Sequence, residues 1–134
     1  MTPSPNPACV LDADCPSRQF LARLADKWSV LVIYALEDGP QRNGELQRMI
    51  GGISQKMLTQ TLRNLERDGL VARKVHAVVP PRVDYALTSL GRSLVRPLAV
   101  FCEWAERHLP QMMAARLRYA PKKPLPERVA VQGR

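Results

Sequence analysis

Aromatic residues make up only 5% of the 134 positions, which leaves no stacking platform of the kind that single-stranded RNA recognition depends on. There are two histidines, His76 and His108, and no CxxC or HExxH spacing, so no metal site is recognisable. The three cysteines, Cys9, Cys15 and Cys102, form an odd set without repeated spacing; this argues against a secreted disulfide framework and leaves room for a reactive thiol. Long apolar runs are missing too. The longest, Trp28 to Leu36, is about half of the roughly 20 residues that span a bilayer. Residues 1–17 have neither a basic n-region nor an apolar h-region, so no secretory signal is read there, and the expectation is a cytoplasmic protein with no membrane partner. Catalytic patterns are also lacking. Asp84 and Glu45 are single carboxylates, Ser54 has no nucleophile-elbow context, and Gly51-Gly52 has no GxxxxGK continuation; the expectation is neither an enzyme nor a cofactor carrier.

Apolar residues at 46% and charged residues at 24% are the balance of a globular chain, and the length suits one domain. The net charge of +8 is concentrated in two places. Residues 54–82 hold six basic and two acidic groups, and residues 116–134 hold six and one. Localised positive charge is the electrostatic footprint of a nucleic-acid binder.

Residues 1–14 hold three prolines and no apolar periodicity, and are read as a flexible N-terminal arm. Pro16 is suited to the first position of a helix, whose buried side would be Phe20, Leu21 and Leu24. Asp26 can cap a second helix, Lys27 to about Leu36, which Gly39-Pro40 would end. Asn43 is expected to cap a short helix ending at the Gly51-Gly52 turn. Ser54 is an N-cap candidate for a helix that reaches Asp68 before Gly69 supplies a left-handed residue. Two strands follow, Leu70 to Val75 and Val83 to Leu87, with Pro80-Pro81 at the hairpin tip. Thr88 caps a last long helix with the apolar stripe Leu90, Leu94, Leu98, Phe101, Ala105 and Leu109; Pro97 should kink it and Pro110 should kink or break it. Residues 116–134 are expected to be a basic, disordered tail, leaving 15–115 as the folded domain.

The helix from Ser54 has two unlike faces. Leu58, Leu62 and Leu65 make one apolar stripe, whereas Lys56, Thr59, Gln60, Arg63 and Arg67 gather half a turn away. A short helix, a tight turn, a second helix and then a hairpin make a winged helix-turn-helix. The expected fold is therefore mainly α with a small β-hairpin. In a DNA major groove, Gln55 and Gln60 can pair with adenine N6 and N7, Lys56 and Arg63 can reach guanine or a phosphate, and the Thr59 methyl can touch thymine. With Ser54 at the helix start and Arg82 on the wing, facing the minor groove or its rim, these are the candidate DNA-binding residues. Trp28, Trp104 and Met112-Met113 are read as core or interface packing, and His76 as a wing residue near phosphate.

Specific strings carry a family resemblance: CPS at 15–17, DKW at 26–28, GEL at 44–46, GISQKMLTQTLRNLERDGLV at 52–71 and VPPRVDYALTSLGRSL at 79–94. Together they resemble the HxlR-type bacterial transcription regulators, a winged-helix branch akin to the MarR type, over about Cys15 to His108. Asn43 departs from the pattern, standing where an aromatic residue is usual. The resemblance implies a homodimer, a partly palindromic double-stranded operator, and a repressor or activator that responds to an electrophile, an oxidant or another small-molecule effector; the stripe from Leu90 to Leu109, longer than one small winged domain needs to cover, points to the N- and C-terminal helices as the dimer contact. The resemblance also points to Cys15, since redox-responsive members use a cysteine at this CP position. The residues agree: the sulfur stands at a helix N-terminus, where unpaired N–H groups favour thiolate, with Arg18 one turn on. Cys102 of the other subunit, or Cys9, would be its disulfide partner. Two alternatives stay open, a winged-helix protein-interaction adaptor and a regulator controlled by a non-covalent ligand.

Overall fold

The structure, a computed structural model, describes residues 10–119. Cys9, most of the expected arm and most of the expected tail fall outside the described residues. The chain divides into two compact units, one ending at Val100 and the other beginning at Phe101.

In the first unit, residues 10–14 form a turn closed by the Cys15 N–H donating to the Asp12 carbonyl at 3.1 Å. Helix α1, Pro16–Leu24, follows with Pro16 in its first turn and Cys15 as its extended N-cap. Its expected buried side is not buried. Phe20 and Leu21 are 47% and 53% exposed, and only Leu24 packs against the core. Amphipathic spacing marks a face that needs cover without saying what covers it, and Phe20 and Leu21 remain about half exposed within the described residues. Helix α2, Lys27–Ala35, starts where Asp26 Oδ2 accepts from the Trp28 and Ser29 amides at 3.1 and 3.3 Å. Val32, Ile33 and the capping residue Leu36 are fully buried.

A two-residue strand, β1 at Gln41–Arg42, precedes helix α3, Asn43–Met49. The strand was not expected, since two residues carry no periodicity. The cap also moves: Asn43 is the first helical residue and Arg42 the N-cap, its amide donating to Glu45 Oε1 at 2.8 Å. Helix α4, Gln55–Arg67, begins with Ser54 Oγ accepting from the Met57 amide at 3.0 Å. It ends at Asp68, after which Gly69 takes φ +80°, a conformation that a side chain would strain. Strands β2, Val71–His76, and β3, Arg82–Leu87, pair antiparallel from Val71–Leu87 to His76–Arg82. β1 adds to the other edge of β3, giving the order β1-β3-β2. The fold is thus mostly helical with a three-stranded antiparallel sheet, one strand more than the expected hairpin. The core joins Val32, Ile33 and Leu36 to Leu46, Ile50 and Ile53, to Leu58, Leu62 and Leu65, and to Leu70, Val71 and Leu87.

Helix α5, Ser89–Arg118, is capped by Thr88, whose Oγ1 accepts from the Gly91 amide at 3.0 Å. It continues through Pro97 and Pro110, so of the two outcomes expected at Pro110, a kink or a break, the break does not occur. Each proline deletes one backbone hydrogen bond, and the bonds of the flanking turns maintain the helix. In the first unit Leu94, Val95 and Leu98 pack against the core, while Leu90 is exposed. In the second unit Phe101, Trp104, Leu109, Met112 and Met113 are all exposed. There the Trp104 and His108 rings stack 4.6 Å apart. No helix among the described residues is long and apolar enough to cross a membrane.

Thr88 also ties two turns together. Its hydroxyl donates to the Gly69 carbonyl at 2.6 Å and its amide to the Leu70 carbonyl at 3.0 Å. Gly91 is buried so close beneath that an added Cβ would overlap the Leu70 carbonyl oxygen. Because the obstacle is backbone, Gly91→Ala should destabilise the fold by about 1–3 kcal/mol, the usual cost of overpacking. The check is urea unfolding, with a lower midpoint at unchanged slope.

Candidate nucleic-acid interface

Helix α4 has one face locked and one face open. Leu58, Thr61, Leu62 and Leu65 are buried, so the helix cannot roll without exposing them. Opposite them, Gln55, Lys56, Gln60, Arg63 and Arg67 are exposed and Thr59 is half-buried, lining a shallow open depression together with Asn64. Arg67 is steadied by Nη1 donating to Asn64 Oδ1 at 3.1 Å. The only acid on the exposed side of α4 is Glu66.

The candidate residues do not all have free hydrogen-bonding groups. The Ser54 hydroxyl accepts as the cap. Gln55 Nε2 donates to Asn43 Oδ1 at 2.7 Å and to Thr59 Oγ1 at 3.4 Å. The side chains of Lys56, Gln60 and Arg63 make no hydrogen bond or ion pair among the described residues. Arg82 opens β3 opposite His76, with its Nε 3.7 Å from Asp84 Oδ1. The other Asp84 oxygen meets His76 Nε2 at 2.8 Å. Asp84 therefore has two partners, and His76, read as a wing residue near phosphate, is bonded to one of its oxygens.

Two members of this surface were not anticipated. Arg73, on β2, lines a second depression with Thr59, Arg63, Glu66 and Tyr85, between α4 and the wing. The signal was present in the alternation: Arg73 shares its side of the strand with buried Val71 and so faces the same way. Asn43 was assigned only a capping role, and no local signal predicts its contact with a residue twelve positions on.

The far end of α4 is held by α1. Arg23 meets the Asp68 carboxylate through two contacts, Nε to Oδ2 at 3.3 Å and Nη2 to Oδ1 at 3.2 Å. An acid at a helix C-terminus opposes the macrodipole, and the guanidinium offsets it. Arg23 also lies over the Phe20 ring, 4.4 Å from its centroid. Cys15, at the other end of α1, is 3% exposed and disulfide-bonded, whereas Cys102 is a free thiol. The Cys15 bond is thus not to Cys102 of the same chain.

A family model described as HxlR-like helix-turn-helix matches residues 23–113. The chain belongs to this family. The HTH-type transcriptional regulator YtfH of Escherichia coli K12 is 44% identical over 102 residues, which is 76% of this chain and 81% of that one. Among solved structures, the transcriptional regulator YtfH of Salmonella typhimurium is 44% identical with a TM-score of 0.75, over 81% of this chain and 96% of that one. The redox regulator HypR in its oxidised form is 41% identical with a TM-score of 0.65, over 69% and 96%. The chain is accordingly a transcriptional regulator of the HxlR and MarR type and not an enzyme.

Proposed function

We propose that the protein is a sequence-specific repressor that binds double-stranded operator DNA as a homodimer and is released by an oxidant or electrophile through Cys15. The observation that carries the DNA reading is the division of α4 between a core-locked apolar face and an open face of amides and cations. A helix fixed in rotation presents the same side chains to a major groove at every encounter, which is what base readout needs. Ser54 and Thr59 belong to this surface through the cap and the Gln55 contact; Lys56, Gln60 and Arg63 are its reaching side chains, and Arg82 carries the wing. If Lys56 and Arg63 neutralise one phosphate each, the double variant Lys56→Ala, Arg63→Ala should bind operator DNA weakly and lower the salt slope by about 2 per recognition helix. Unchanged gel-shift affinity and slope would remove α4 from the interface.

Dimerisation is supported by two exposed apolar surfaces among the described residues, Phe20 and Leu21 on α1 and the Phe101 to Met113 stretch of α5. Exposed patches of this kind mark interfaces, and twofold symmetry would set two recognition helices about 34–36 Å apart or a multiple of that. Phe101→Glu with Leu109→Glu should convert the protein to a monomer by light scattering; a parent protein that is already monomeric at micromolar concentration would refute the dimer.

Redox control is supported by the disulfide at Cys15 and by the likeness to a protein described as a redox regulator. Once that bond is reduced, an oxidant such as diamide takes two electrons and two protons from the Cys15 thiol and its partner thiol and re-forms the disulfide. Reduced wild type should release the operator on diamide treatment, and in reduced Cys15→Ser that release should be lost. If reduced wild type and Cys15→Ser release DNA equally, Cys15 is not the switch. A cleft of about 240 Å³ between α1, α2 and α4, with Arg23, Asp68 and Gln60 on its walls, favours a second reading, control by a small polar ligand.

A further inference from the structure

We propose that Asn43 is the positioning residue that sets what Gln55 can read: by holding the Gln55 amide nitrogen it leaves only an acceptor for DNA, and so selects a base bearing an exocyclic amine, adenine or cytosine. This rests on the DNA-reading role of α4.

A primary amide nitrogen has two hydrogens. At Gln55 one goes to Asn43 Oδ1 at 2.7 Å and the other points to Thr59 Oγ1 at 3.4 Å. Gln55 Oε1 makes no hydrogen bond among the described residues, and it stands on the first residue of α4, where side chains of a recognition helix meet base edges. The holder is itself held. Asn43 is the first residue of α3, and the residue before it, Arg42, is bonded to Glu45 and paired with Asp84 in the sheet.

In the major groove adenine and cytosine offer an amine donor, whereas guanine and thymine offer acceptors at the corresponding edge. An acceptor-only Gln55 takes the first pair and is repelled by the second. It does not make the bidentate adenine contact expected from the sequence, because the N–H that adenine N7 requires is engaged by Asn43. Adenine and cytosine thus become near-equivalent at this position. Releasing the amide restores the bidentate contact and with it a preference for adenine.

The experiment is selection of duplexes from a random library by the full chain, followed by sequencing. It compares wild type with Gln55→Ala, which locates the base position, and with Asn43→Ala and Asn43→Asp. Wild type should accept adenine and cytosine within about threefold of each other and on the order of tenfold above guanine and thymine. Asn43→Ala should favour adenine over cytosine by on the order of tenfold at that position. Asn43→Asp keeps the acceptor and should retain the wild-type profile even if its added charge lowers overall affinity. A general structural role for Asn43 would change affinity at all positions and leave this preference untouched. The inference is overturned by a wild type that already prefers adenine, by an Asn43→Ala profile identical to wild type, or by Gln55→Ala changing no position. A wild type that selects no motif overturns the DNA reading itself, and the inference with it.

Discussion

The placing of α4 against the wing depends on Thr88. With three hydrogen bonds, to the Gly69 and Leu70 carbonyls and from the Gly91 amide, one residue joins the end of α4, the start of β2, the end of β3 and the start of α5. The carbonyls it satisfies lie in the turn that follows α4, where helical partners have run out. Gly91 makes the junction sterically possible by letting α5 approach the Leu70 backbone. The angle between helix and wing follows from this junction, and with it the distance between the Arg63 side of α4 and Arg73 on β2.

Once α4 is held there, its chemistry depends on which polar groups are already engaged. Sequence composition counts Gln55, Thr59, Ser54 and Arg82 as donors and acceptors of equal standing. The structure ranks them. Ser54 caps, Gln55 is tethered through nitrogen and Arg82 shares Asp84 with His76, while Lys56, Gln60 and Arg63 are uncommitted. Side chains whose hydrogen-bonding groups are fixed beforehand discriminate through what they can no longer offer, since an unpaired polar group at a dry interface is costly. Uncommitted cations supply attraction with little dependence on sequence.

The opposite end of α4 has a different kind of attachment. The Arg23–Asp68 pair links it to α1, whose N-cap is the disulfide-bonded Cys15. Arg23 is half exposed while Asp68 is largely covered, so the pair contributes modest stability in water. Its importance is geometric: the helix that begins after the disulfide-bonded Cys15 is bonded at its last turn to the helix proposed to read DNA.

By itself the sequence determined what depends on near neighbours. Asp26, Ser54 and Thr88 cap their helices and Gly69 ends α4 as read, because a cap is a contact across three residues or fewer. The Leu58, Leu62 and Leu65 stripe was legible for the same reason, since helical periodicity is local. Tertiary structure decided the rest. The third strand at Gln41–Arg42, the partners of Asp84, the Asn43–Gln55 tether and the Arg23–Asp68 bridge all join elements whose approach is set by the assembled core. A residue's type states which bonds it can make, but only the packing of the apolar faces determines which partner comes within about 3 Å.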